Sequence, residues 1–226
     1  MAVKNGAAYI GEQLDSILCQ LKPADELIVS DDHSADNTLG IIRSFNDPRI
    51  KLYESNARGI ARNFEFAVSR SSGDFIFLAD QDDIWDRKKV DTMLVQLETY
   101  DMVVCDCRLV DGNGEVISES FFELKKSGRG FVKNLISNSY MGCCMGFRRN
   151  ILERALPFPA NDVVHDFWIG MIAEAHYSSI FIKEQLVSHR LHNANASTSG
   201  RSSKKSPMAR MSLRYQLVRN LISRSL

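Results

Sequence analysis

Long apolar runs are missing from this 226-residue chain. Nothing in it approaches the roughly 18–20 consecutive apolar residues that cross a bilayer. The opening MAVKNGAAYI lacks the charged and apolar regions of a secretion signal, so the expected address is the cytoplasm. Cysteine is scarce and unpatterned: Cys19, Cys105, Cys107, Cys143 and Cys144 are odd in number and show no C-x-x-C spacing. That argues against a zinc or dithiol site and for five reduced thiols in or near the core. Acid is absent from residues 201–226, which carry Arg201, Lys204, Lys205, Arg210, Arg214, Arg219 and Arg224. Because Lys and Arg balance Asp and Glu at 28 each, the remainder is acidic. A neutral whole with a basic tail excludes a general nucleic-acid binder and leaves an anionic surface as a partner for the tail alone.

What is present is alternation, in a chain of 44% apolar residues. Ile10, Leu14, Ile17 and Leu21 recur at helical spacing, ELIVSDD reads as a buried strand, and Ile41 and Ile42 sit on a helix that Asp36 could cap. Ile50 to Tyr53 is a strand candidate, Ile60, Phe64, Ala67 and Val68 mark another helix, and FIFLAD is the next strand. After Trp85, Val90, Met93, Leu94 and Leu97 give a helix that leads into DMVVCD. VDGNGEVI reads as a hairpin or turn. Strands alternating with helices predict an α/β fold with a mostly parallel sheet. Beyond it the spacing predicts short helices over Phe131 to Ile136 and Ile151 to Ala155 and a helix over Phe167 to Ala175. MGCCMGF reads as a buried strand or bend, and Ile180 to Ile182 and Leu186 to Ser188 as two weak strands. One domain is expected over 1–196, a flexible linker over 197–206, and a basic helix over 207–226.

Two strand ends are acidic: SDD at Ser30, Asp31 and Asp32, and ADQDD from Ala79 to Asp83, with Asp86 beyond. In open α/β sheets ligands bind at such ends. A strand-terminal Asp also caps turns, which is the plain reading of either pair alone. Carboxylates packed as closely as Asp80, Asp82 and Asp83 need a cation, and an oxygen-rich set without sulfur suits Mg²⁺ or Mn²⁺ holding a diphosphate.

ADQDDIW with VSDDHSADNT upstream resembles the nucleotide-sugar-dependent glycosyltransferases of family 2, as do NGAAYIGEQLDSILCQ, NARGIARNFEFAVSR, MGCCMGFRRNIL, HDFW at 165–168 and HRLH at 189–192. The DQDDIW form looks like the subset that builds rhamnose-containing bacterial surface polysaccharides. The resemblance implies the glycosyltransferase A fold, a Rossmann-like mostly parallel sheet with flanking helices, and inverting sugar transfer from a nucleoside diphosphate to a glycan or lipid-linked acceptor. It puts Asp31 and Asp32 near base and ribose, Arg62 beside base or diphosphate, and Asp80 and Asp82 at ribose, metal and diphosphate. Asp83 becomes a supporting acid, Asp166 the catalytic base, and Arg190 and His192 contacts to the diphosphate, with His192 a further metal ligand. Asp166 read without the resemblance caps a helix, and His165 either orients it or lies on the surface. Trp85 is read as packing beneath the metal loop, with sugar stacking as the lesser role.

The resemblance also implies a full first strand ending in Thr-Tyr or Pro-Tyr, where this chain has Val3 and Lys4, so that strand is expected to be essentially absent. Two other readings remain: a receiver-like phosphoryl-transfer domain, which would need a Lys at a later strand end, and an inactive relative serving as a binding module. In the tail, Met211, Tyr215, Val218 and Ile222 form one apolar line and Leu213, Leu217 and Leu221 another. The first suits the inner face of an anionic membrane, the second a helix packed on protein.

Overall fold

The computed structural model describes residues 1–56, 58–159, 164–192 and 207–225; the expected linker lies outside them. Chain order begins with β1 (Ala2–Val3), α1 (Ile10–Leu18), β2 (Leu27–Asp31), α2 (Thr38–Ser44), β3 (Ile50–Glu54), α3 (Ile60–Arg70), β4 (Phe75–Phe77), β5 (Ile84–Trp85) and α4 (Lys89–Leu97). It continues with β6 (Met102–Asp111), β7 (Val116–Ser118), α5 (Phe121–Lys125), α6 (Phe131–Ile136), a 3₁₀ turn at Gly142–Cys144, β8 (Met145–Arg148), α7 (Asn150–Ala155), α8 (His165–His176), β9 (Ser179–Leu191) and α9 (Pro207–Ser225).

Helical spacing became burial where it was expected. Ile10, Leu14 and Ile17 on α1 and Phe64, Ala67 and Val68 on α3 are buried, although Ile60 is exposed. Every residue of β2 is buried, as suits a strand covered on both faces. Asn63 of α3 fastens that helix to β2 by donating to the Ser30 carbonyl at 2.8 Å. Asp36, expected as the cap of α2, stands one residue before the N-cap Asn37 and accepts the Thr38 N–H at 3.1 Å in a turn leading into the helix.

The strands form two sheets, β1–β2–β3 and β4–β8–β6–β9–β5 with β7 on β6, and the second departs from the expected parallel pattern. β1, β2 and β3 pair in parallel, as does β6 with β9, but β4–β8, β6–β8, β5–β9 and β6–β7 are antiparallel. The parallel rule applies where a helix crosses over between neighbouring strands. After β6 the chain returns through a hairpin and short helices, so it can reverse direction. The two weak strands expected around 180 and 187 are one thirteen-residue strand, β9. Its register against β6 shifts between Cys105 and Cys107, which breaks the apolar pattern at exposed Lys183 and Glu184.

The first strand, expected to be cut to its last residues, is two residues long, and it is paired. The Met1 carbonyl accepts the Ser30 N–H at 3.0 Å and the Val3 carbonyl accepts the Asp32 N–H at 2.9 Å. Its two strand residues therefore pair with β2 and carry Lys4 to the mouth of the sheet. Of the thiols, four are buried and free, whereas Cys19 is exposed.

The tail is helical, and both expected lines exist on it. Leu217 and Leu221 are buried, while Met211 and Tyr215 are each 69% exposed and Met208 and Ile222 are also exposed. Arg214 donates to the Leu135 carbonyl at 2.7 Å and Arg224 to the Leu156 carbonyl at 2.8 Å, so two of the basic side chains hold α9 to the body rather than facing outward.

Candidate active site

Four segments distant in sequence converge: the β4–β5 loop at 80–83, the end of β9, the start of α8, and the turn at 142–144. The loop is held at every residue. Gln13 of α1 donates to the Asp80 carbonyl at 2.9 Å. Gln81 exchanges two hydrogen bonds with the Lys4 backbone, accepting at 2.7 Å and donating at 3.0 Å. The Asp82 carbonyl accepts from Arg190 Nε at 3.1 Å, and Asp82 Oδ2 lies 2.9 Å from His192 Nε2. Asp83, fully buried, meets His189 Nδ1 at 2.8 Å and the Arg190 N–H at 3.1 Å.

The acids in this loop titrate abnormally. Burial, with the Asp83 and Asp82 carboxylates next to it, pushes Asp80 up to about 8. Asp82 is raised as well, first by burial and then by Asp83, against the pull of His189 and His192. Burial also works against ionised Asp83, but the charge and hydrogen bond of His189 outweigh it and its pKa falls below the usual range. Three carboxylates that cannot all ionise comfortably together would be relieved by a cation beside them. The chemistry of the donors fits a hard dication: carboxylate oxygens of Asp80 and Asp82 with the imidazole of His192.

Asp83, Cys143 and His189 also bring ligand atoms within 4.8 Å of one another. Nδ1 of His189 lies on Asp83, with Cys143 Sγ 3.8 Å from that nitrogen, while Asp83 Oδ2 and His189 Nε2 have no hydrogen-bond partner. The buried ammonium of Lys89 donates to the Cys143 carbonyl at 2.6 Å. The Asp83–His189 contact makes this trio a hydrogen-bonded support beneath the loop.

Asp166 opens α8, where its Oδ1 takes the N–H of Phe167 and its Oδ2 the N–H of Gly142 at 3.2 Å. Burial nonetheless raises it to about 6, and its charge is felt by Asp80. A carboxylate poised near neutrality beside a cation socket suits a general base. His165 is buried, not on the surface; its ring stacks on Phe64 with centroids 3.8 Å apart, and neither ring nitrogen has a hydrogen-bond partner. Burial, then the amine of Met1, lowers it to about 3, so it is neutral. A side chain at Gly142 would bring its Cβ within 2.9 Å of His165 Nε2, which is why the turn needs glycine there.

The remaining expected residues are dispersed. Asp31 is buried in a turn, accepting the Ser34 N–H at 2.9 Å, while Asp32 sits 3.2 Å from both Lys4 Nζ and the Gly59 N–H. Arg62 pairs with Glu65 and donates to the carbonyls of Phe158 and Pro159 at 3.1 Å, apart from the acid loop's own contacts. Arg190 is buried, reaching Glu12 at 2.6 Å, the Gly112 carbonyl at 3.1 Å and the face of Tyr9 at 4.8 Å, and with its Nε on the Asp82 carbonyl it clamps the loop. Trp85 is buried packing, with Lys89 Nζ 3.5 Å above its ring.

Sequence reasoning missed Gln13, Gln81, Lys89 and His189. Only Lys89 left a signal, a lysine at the buried position of the stripe shared with Val90, Met93 and Leu97.

A sequence profile of Glycosyl transferase family 2 matches residues 1–156. An uncharacterized glycosyltransferase of Nostoc, alr2836, is 26% identical over 84% of this chain and 63% of its own length. The dTDP-rhamnosyl transferase RfbG of Shigella flexneri is 27% identical over 86% and 72%. The Escherichia coli enzyme WfgD, a UDP-Glc:alpha-D-GlcNAc-diphosphoundecaprenol beta-1,3-glucosyltransferase, is 28% identical over 78% and 69%. The chain thus spans 63% to 72% of the length of these curated relatives.

Among solved structures, S. aureus TarS 1–349 with UDP-GlcNAc superposes with a TM-score of 0.72 at 19% identity, covering 99% of this chain and 64% of that one. The Pyrobaculum calidifontis mannosyltransferase PcManGT with GDP-Man and Mn²⁺ gives 0.66 at 19% identity, covering 99% and 72%. At such identity the likeness establishes the fold, that of the glycosyltransferase A class.

Proposed function

The chain belongs to glycosyl transferase family 2, and from that premise we propose that it is the donor-binding and catalytic part of an inverting, metal-dependent glycosyltransferase. Membership sets aside the receiver-like alternative. The observation that carries the proposal is the juxtaposition of the strained acid loop with Asp166, whose charge reaches Asp80. The donor is a nucleoside-diphosphate sugar, with rhamnose a candidate through the similarity to RfbG. The acceptor is a glycan or a lipid-linked glycan in surface polysaccharide synthesis.

In this reading Asp80, Asp82 and His192 hold Mg²⁺ or Mn²⁺. The cation, when bound, neutralises charge on the departing diphosphate. Asp32, with Asp31 shaping its turn, faces ribose and base, and Arg62 borders the nucleotide from the start of α3. Asp166 removes the proton of the acceptor hydroxyl as that oxygen attacks the anomeric carbon from the side opposite the diphosphate, so configuration inverts. Neutral His165 adds no positive charge beside the base, which leaves its affinity for the proton high.

The test is thermal shift of the purified chain with uridine and thymidine diphosphates, with and without Mn²⁺, followed by sugar transfer. Ligand that binds the folded state raises the melting temperature by mass action. Binding without transfer to any glycan acceptor would favour the inactive binding module instead. Within the same proposal, the exposed line Met208, Met211, Tyr215 and Ile222 on α9 rests on the inner face of an anionic membrane. No helix among the described residues is long and apolar enough to cross one.

A further inference from the structure

The acid loop lacks regular secondary structure at Asp80–Asp83, yet a cation socket needs its carboxylates fixed to within a fraction of an ångström. Most of the fixing comes from one place, the end of β9. His189, Arg190 and His192 bracket the Asp82–Asp83 dipeptide: the imidazole of His189 on the Asp83 carboxylate, the Arg190 backbone and Nε on Asp83 and the Asp82 carbonyl, and His192 on the Asp82 carboxylate. The contact at Asp83 is the innermost. Both side chains are buried, and Asp83 Oδ2 and His189 Nε2 have no hydrogen-bond partner. If Nδ1 is lost, the buried Asp83 carboxylate keeps the Arg190 N–H and the Cys143 thiol but loses its closest partner, and a buried carboxylate so deprived is free to turn. Asp83 follows Asp82 directly, so a turn there moves the neighbouring ligand.

We infer that His189 is a positioning residue for the cation: its Nδ1 hydrogen bond to Asp83 sets the orientation in which Asp82 and Asp80 present their oxygens. The inference rests on the metal-binding reading above and goes beyond it by assigning affinity for the ion to a residue that does not touch it. Supporting groups behind a metal ligand are commonly worth tenfold to a hundredfold in metal affinity.

Two amide substitutions separate the hydrogen bond from bulk and polarity. Asparagine places its amide nitrogen near where Nδ1 stands, whereas glutamine carries it out toward the position of Nε2. The measurement is Mn²⁺ binding to the full chain, read from loss of the free-ion electron paramagnetic resonance signal, with melting temperature in chelator as a separate report on the fold. H189N should bind Mn²⁺ within about threefold of the unaltered chain, and H189Q more weakly by about tenfold or more. A purely structural role would lower both melting temperatures and leave the affinity of the folded protein for Mn²⁺ unchanged. Equal affinity in H189N and H189Q overturns the inference and leaves the metal reading standing. Failure of the unaltered chain to bind Mn²⁺ overturns both.

Discussion

The two acidic strand ends look alike in sequence and behave differently in the fold. At the end of β2, Asp31 closes a turn on Ser34 and Asp32 is met by Lys4 and the Gly59 N–H, so each carboxylate has donors of its own. Beyond β4, Asp80 and Asp82 are raised by burial and by the neighbouring Asp83, and the imidazoles that meet Asp83 and Asp82 come from the end of β9 and from His192 just past it, 106 to 110 residues away. A pair of aspartates after a buried strand is thus either a local turn or a charge socket. The difference lies in whether each carboxylate is met by donors of its own or is buried beside other carboxylates.

The sharpest way to break this contrast is to remove one acid from each end. Asp82→Ala should abolish transfer, and chelator should do the same, because the leaving diphosphate loses its main charge stabilisation. Full activity in chelator would dissolve the distinction. Asp31→Asn, by comparison, should lower the melting temperature, at about 1 kcal/mol for a weakened turn, with transfer by the folded protein reduced far less.

Next in size is Asp166→Asn, for which turnover should fall about a hundredfold or more with donor binding nearly unchanged, as measured by steady-state rates and by titration with the nucleotide. Because Asp166 is raised to about 6, its base form is lost as pH drops. kcat/KM should therefore be level above about pH 7 and fall tenfold per pH unit well below 6, a limb that disappears in the Asn variant.

A smaller effect is expected at the turn beneath the base. Gly142→Ala forces a Cβ to within 2.9 Å of His165 Nε2 and should cost about 1–3 kcal/mol, seen as an earlier urea midpoint with an unchanged slope. The smallest concerns the tail. Chain ending at Ser206 should pellet less than the whole chain with anionic vesicles at low salt, and salt should erase the difference. The effect is modest because Arg214 and Arg224 are occupied with backbone carbonyls.

Legibility followed the range of the interactions. The stripes of α1, α3 and α4, the buried strand β2 and the short helices after 130 were readable from spacing, because burial of a helix face needs only its own period. The joined strand β9 was not, since its middle is exposed where the bulge against β6 shifts the register. Arg190 shows the same limit at the site: its contacts with Glu12, Gly112 and Tyr9 join segments far apart in the chain and leave no periodic signal.

By itself the sequence determined that acids would gather at the ends of strands, that a base candidate would open a helix at Asp166, and that the order of motifs was that of family 2. Those features are local in the chain, fixed by side-chain period and by residues within a turn of one another. Only the tertiary structure decided which acids are at rest and which are under mutual repulsion, and that His189 rather than a neighbour in sequence holds Asp83. Charge and hydrogen bonding act through distance in space, and here that distance is closed by strand pairing between segments more than a hundred residues apart.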